Sequence, residues 1–159
     1  FNFNGLIFLL FIDSFFLKNN IGDFMIRLYT DAAVAGNPGP AGVGILIVTN
    51  NEQKQISIPL EGNWNNHHAE FKAVFLGLSW LIKNNYTDEM VFSYTDSKIV
   101  AQSIEKEYAK DPITLKYLTD ILELMVEFHF ISIEWIPESK NKGADNLARQ
   151  ALQKIIKSS

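Results

Sequence analysis

The sequence predicts one α/β domain built on a mixed sheet, and three observations predict it. From Met25 onward, strand-like and helix-like segments follow in the order βββ-α-β-αα-β-α. An antiparallel meander therefore comes first, and later strands, reached through helices, are added parallel. A length of 159 residues suits one domain with a substantial core. Hydrophobic residues make up 47% of the chain and charged residues 20%, which is too apolar for low-complexity disorder.

Each element has its own signal. Met25–Thr30 alternates Ile26 and Leu28 with Arg27 and Tyr29, the period of a strand. Residues 35–42 read AlaGlyAsnProGlyProAlaGly, a turn-forming stretch. Val43–Thr49 is β-rich, Asn50 and Asn51 suit a tight turn, and Gln53–Leu60 reads as the third strand. Asn66 or a neighbour caps a helix that runs to about Lys83. The polar turn at Thr87, Asp88 and Glu89 leads into a fourth strand, Met90–Thr95. Ser97–Glu107 and Pro112–Glu127 read as helices split at Lys110–Pro112. Phe130–Ile136 is the fifth strand, and Asn141–Lys157 is a closing amphipathic helix. There is no internal repeat, linker or block of like charge.

Residues 1–24, FNFNGLIFLLFIDSFFLKNNIGDF, differ from the rest and hold seven of the 12 Phe. The apolar run Leu6–Ile12 stops at Asp13, far short of the ~20 residues of a spanning helix. A basic start and a small-residue cleavage site, the marks of a signal peptide, are missing. The segment reads as a non-native or upstream hydrophobic extension outside the domain, which is expected to span 25–159. A cytoplasmic, monomeric protein with no membrane partner is the expectation. The chain has no Cys, which excludes a disulfide scaffold and a Cys zinc site. A net charge of -4 argues against holding nucleic acid by bulk basicity, so any polyanion site is local.

Four carboxylates stand in awkward places. Tyr-Thr-Asp occurs at 29–31 and at 94–96, each time closing a predicted strand. If those strands are parallel neighbours, Asp31 and Asp96 lie side by side, and a divalent metal would relieve their repulsion. Singly, each also suits a strand-end turn or a helix N-cap. Glu70 shares a helical face with Ala73, Val74, Gly77, Leu78 and Leu81, which points it at the sheet. The alternative is a carboxylate capping the first turn. Asp145 flanks the stripe Ala144, Leu147, Ala148, Ala151, Leu152 and Ile155, where an acid in a first helical turn is also ordinary. Together the four can converge at one end of the sheet. An all-oxygen set suits Mg²⁺ or Mn²⁺. Two such ions roughly 4 Å apart are a general solution for phosphodiester cleavage, one activating water and the other stabilising the leaving oxygen.

These residues resemble the ribonuclease HI family. TDAAVAGNPGPAGVG (30–44) looks like its first strand and glycine-rich turn, and NHHAEF (66–71) like its Asn-x-x-x-Glu helix start. YTDSKIV (94–100) looks like its third acidic motif, and IEWIPESKNKGADNLARQAL (133–152) like its last strand and helix. The resemblance runs from Met25 to about residue 155. It implies a ribonuclease H-like fold, a five-stranded mixed sheet with helices on both faces. It also implies an endoribonuclease that hydrolyses the RNA strand of an RNA/DNA hybrid and leaves 5′-phosphates. Asp31 would bridge both ions, Glu70 and Asp96 would complete one ion's shell, and Asp145 would hold the ion that activates water. Asn66 would contact the hybrid in its minor groove. The turn of Gly36, Asn37 and Gly39 would approach RNA 2′-hydroxyls. Ser97, Lys98 and Asn141 complete the expected substrate contacts, Lys98 toward a phosphate.

Three features depart from the family. The loop IPESKNKG (136–143) lacks the histidine that many members carry, and Lys140 or Lys142 is a poor proton shuttle near neutrality. Lys98 stands where several members have Gln. EKEYAKD (105–111) replaces a basic protrusion, so the chain resembles the family's shorter branch and its binding should be weaker and salt-sensitive. A catalytically weak or inactive nucleic-acid-binding relative is the alternative, and a DNA-cutting nuclease on the same fold is a third. His67 and His68 suit either a helix start or phosphate contacts. His129 reads as structural, Trp64 as loop packing, and Trp80 and Trp135 as core.

Overall fold

Ile26, Leu28 and Thr30 of the first strand are buried, the alternation expected of a strand with one face on a core. The structure is a computed structural model that describes residues 25–159; the segment 1–24, and the expectation about it, lie outside the described residues. Strands β1 (Met25–Val34), β2 (Ala41–Val48) and β3 (Gln53–Pro59) form the meander. Helix α1 (Asn66–Lys83) leads to β4 (Met90–Thr95). Helices α2 (Lys98–Lys106) and α3 (Pro112–Met125) lead to β5 (Phe130–Trp135). A short 3-10 turn at Glu138–Lys140 precedes α4 (Lys142–Ser158). The sheet order is β3-β2-β1-β4-β5, with β4 parallel to both β1 and β5. The expected five-stranded mixed sheet is therefore present.

Two layers of helix cover it. On one face, Phe71, Val74, Leu78 and Leu81 of α1 join Leu118 and Ile121 of α3 over Ile26, Leu28, Ile45 and Val91. On the other face lies α4, whose Ala144, Ala148, Ala151 and Leu152 meet Gly42 and Gly44 of β2. A Cβ on Gly44 would sit 2.0 Å from the Ala144 carbonyl oxygen. These two glycines let the helix backbone approach the strand, and that approach fixes where α4 begins.

Several expectations need correction. β1 does not close at Asp31. Its parallel pairing with β4 stops at Thr30 and Thr95, but its antiparallel pairing with β2 continues to Val34. The expectation that Asn66 or a neighbour caps α1 is met by Asn65, whose side chain accepts from the His68 N–H at 2.7 Å. Ser97 is the cap of α2 rather than its first residue, and that helix stops at Lys106 because Glu107 turns left-handed, φ 51°. Trp135 is not core: it is 44% exposed, because β5 is an edge strand. Trp80 is half-buried and stacks on Tyr86. Trp64 packs on Tyr117 and donates its indole N–H to the Glu61 carbonyl at 2.8 Å. His129 sits at the surface beside Asp88. No helix among the described residues is long and apolar enough to cross a membrane.

Candidate active site

Parallel pairing of Thr30 with Thr95 places the next residues, Asp31 and Asp96, beside each other. Helix α1 begins near this end of the sheet, and Glu70, one turn in, reaches the same point. Asp31, Glu70 and Asp96 each offer an oxygen within 4.8 Å of the other two. A cavity of about 430 Å³ opens over them, lined also by Asn66, Asp145 and Arg149.

The electrostatics are strained. Asp31 is 5% exposed, and burial, followed by the charge of Asp96, pushes its pKa up to about 7. Burial raises Glu70 well above the usual carboxylate range, and Asp31 and Asp96 add to the shift. Asp96 is raised mainly by burial, with Glu138 and Asp145 contributing, against a hydrogen bond from Asn141. Glu70 Oε2 is buried without a hydrogen-bond partner. Such an oxygen is costly unless something binds it. Three crowded carboxylates, one with an orphaned oxygen, fit a hard divalent cation.

Asp145 lines the same cavity from the first turn of α4, outside the three-acid cluster. Both its oxygens accept from Arg149 Nε, at 2.9 and 3.0 Å. The Asp145 N–H in turn donates to the Asn141 carbonyl at 3.1 Å. Asn141, expected among the substrate contacts, is 1% exposed; its Nδ2 is engaged inside the protein, and its Oδ1 is buried without a partner. Its Nδ2 donates to the Thr30 carbonyl at 3.0 Å and to Asp96 Oδ2 at 3.1 Å. One side chain thus ties β1, the end of β4 and the start of α4 together.

The other expected substrate residues fall into two groups. Asn66 lines the cavity, and its N–H donates to Asn37 Oδ1 at 3.1 Å, which fastens the glycine turn to α1. Gly36 has φ +94°, and a Cβ on Gly39 would sit 1.8 Å from the Ala35 carbonyl oxygen, so the turn requires both glycines. Gly39 also pairs with Trp64 through two backbone hydrogen bonds. Ser97 and Lys98 lie aside. The Ser97 hydroxyl accepts from Val100 N, and Lys98 Nζ sits 4.9 Å over the Trp135 ring in a neighbouring groove. Trp135 donates its indole N–H to the Asp96 carbonyl at 3.0 Å. His67 and His68 line a separate cleft between α1, α2 and α3, with Lys106 and Lys110. Sequence reasoning missed Arg149 and Glu138; the four-residue spacing of Asp145 and Arg149 on one helix was the available signal for the first.

Sheet order and acid cluster together define a ribonuclease H-like domain. Residues 29–151 match the family described as "Reverse transcriptase-like". The chain is 48% identical over 131 residues to "Putative hydrolase EbsB" of Enterococcus faecalis, covering 82% of this chain and 96% of that protein. It is 30% identical over 152 residues to the ribonuclease H of Parvibaculum lavamentivorans, covering 86% and 98%. Among solved structures, the RNase H1 of the halophilic archaeon Halobacterium salinarum superposes with TM-score 0.75 at 28% identity, covering 82% and 98%. LC11-RNase H1 in complex with an RNA/DNA hybrid gives 0.75 at 28%, covering 82% and 99%. The chain belongs to the ribonuclease H family of hydrolases.

Proposed function

We propose that this protein is an endonuclease that hydrolyses the RNA strand of RNA/DNA hybrids, using two Mg²⁺ or Mn²⁺ ions held by Asp31, Glu70, Asp96 and Asp145. The observation that carries this reading is the convergence of three carboxylates from β1, α1 and β4 within 4.8 Å. Three carboxylates crowded at one point, Asp31 buried and Glu70 and Asp96 half-buried, are costly without a cation, and all three are raised above the usual carboxylate range by burial and by repulsion from neighbouring carboxylates. Divalent ions, when bound, supply charge stabilisation of the attacking and leaving oxygens.

The protein's own residues supply position. Asp31 and Asp96 are fixed by strand register and by Asn141, and Glu70 by the core-facing side of α1. Asn66 lines the cavity, and its N–H holds the turn of Gly36, Asn37 and Gly39 beside it. Backbone that can come close there suits contact with RNA 2′-hydroxyls, which separates RNA from DNA. Lys98, exposed above Trp135 with Ser97 next to it in the chain, is the cation this reading assigns to a backbone phosphate outside the acid cavity. The matched LC11 structure contains an RNA/DNA hybrid, which supports this choice of substrate.

The test is a panel of labelled hybrid, double-stranded RNA and double-stranded DNA, each with Mg²⁺ and then Mn²⁺. Cleavage confined to the RNA of the hybrid, with 5′-phosphate and 3′-hydroxyl ends, is expected. Cleavage of double-stranded DNA instead would overturn the substrate. A second reading, hybrid binding with little turnover, draws on the loop IPESKNKG (136–143), which has no histidine. Hybrid binding without Mn²⁺-stimulated cleavage would establish it.

A further inference from the structure

The carboxylates of the acid cavity are not equivalent. Asp31, Glu70 and Asp96 form a cluster open to a cation, whereas Asp145 lines the same cavity with both oxygens occupied. A single N–H from Arg149 Nε lies between Oδ1 and Oδ2, on the edge a carboxylate uses to chelate a metal. Among the described residues Arg149 is the one cationic side chain lining this cavity. The pair sits at i and i+4 on α4, so helix geometry alone brings it together. The Arg149 side chain is 64% exposed and that of Asp145 22%, which makes the bond inexpensive to exchange.

We propose that Arg149 is a positioning residue that competes with a divalent cation for Asp145. Loading of the site then proceeds in two unequal events. One cation enters the three-acid cluster without displacing any protein cation. The other takes Asp145 only by exchanging for the Arg149 guanidinium. Until then, Arg149 keeps Asp145 paired and spares the cavity a further unbalanced charge. This inference rests on the two-cation reading above.

Mn²⁺ binding to the full chain, followed by calorimetry and by the electron paramagnetic resonance signal of free Mn²⁺, tests it without turnover. In the wild type, a tighter and a weaker event are expected. Arg149→Gln should tighten the weaker event about two- to fivefold, the range of a largely exposed ion pair. It should leave the tighter event unchanged. In an Asp145→Asn background the same substitution should have no effect, because nothing remains to compete for. If Arg149→Gln leaves the weaker event unchanged or loosens it, the competition is refuted. Tightening of both events, or tightening that persists beside Asp145→Asn, would show a general charge effect and also refute it. Absence of Mn²⁺ binding in every variant would remove both this inference and the two-cation reading. Loss of the tighter event in Asp31→Asn, with an Arg149→Gln effect still absent, would remove only the former.

Discussion

Asp31 concentrates the conflict between folding and chemistry. Its pKa is pushed up to about 7 by burial and by Asp96, against an unfolded value near 3.8. The folded state therefore holds a proton that the unfolded state has already lost. The associated stability is fully present below about pH 3.8 and disappears as pH rises through about 7. In chelator, the melting temperature should accordingly fall between pH 5 and pH 8 on the order of several degrees, and Mg²⁺ or Mn²⁺ should restore it. Asp31→Asn should raise the melting temperature in chelator at pH 8 while lowering hybrid cleavage roughly thousandfold or more. A melting temperature flat with pH, or retained cleavage in the variant, would contradict the assignment. Asn141 acts by holding others. Asn141→Ala removes two hydrogen bonds, one to a charged oxygen, and should cost about 1–3 kcal/mol in urea unfolding. Cleavage should fall about 10- to 100-fold, the usual scale for a partner of a metal ligand. An unchanged rate would mean that Asp96 does not need the tie. The sequence showed where Asn141 stands, four residues before Asp145, but not that it is buried, because burial depends on how α4 meets β1 and β4.

At the scale of elements, the sequence was most informative where a single segment decides the outcome. The alternation of Ile26 and Leu28, and the stripe through Ala73, Val74, Leu78 and Leu81, each carry their own period, and both are buried as that period requires. It was least informative where two neighbours of one strand disagree. The repeated Tyr-Thr-Asp suggested two strand ends, yet β1 has one partner that stops at Thr95 and another that continues to Ala41. Trp135 was misjudged for the same reason, since edge position is a property of strand order and not of the strand itself. Of the glycines of β2, Gly42 read in the sequence as the end of the turn and Gly44 as part of the β-rich run Val43–Thr49. In the structure they are the seat of α4. Gly44→Ala places a Cβ 2.0 Å from the Ala144 carbonyl and 2.5 Å from Ala148 N, both backbone atoms. The helix must move, and overpacking of this kind costs about 1–3 kcal/mol. Displacing α4 also displaces Asp145, so cleavage should fall more than stability alone explains. Denaturant unfolding and cleavage measured together check this, and an active variant of wild-type stability would show that α4 is not seated as described.

At the scale of the molecule, the question is how much of the chain the domain needs. Every element that positions an acid lies between Met25 and Ser158, and the family match spans 29–151. Among the described residues the main core runs from Ile26 onward: α1 and α3 cover one face of the sheet, and α4 covers β1, β2 and β3 on the other. On these grounds the fragment 25–159 should fold and cleave hybrids at the rate of the full chain. One feature sharpens the test. Met25, Met90 and Phe130 are neighbours in strand register and are 39%, 41% and 41% exposed, so an apolar row crosses the end of the sheet where residue 24 joins. If residues 1–24 contribute nothing to the fold, removing them should leave the melting temperature within about 1 °C, less than the shift from 1 kcal/mol in a domain of this size. A fall of several degrees, or self-association of the fragment, would mean instead that the Phe-rich segment shelters that row and belongs to the domain.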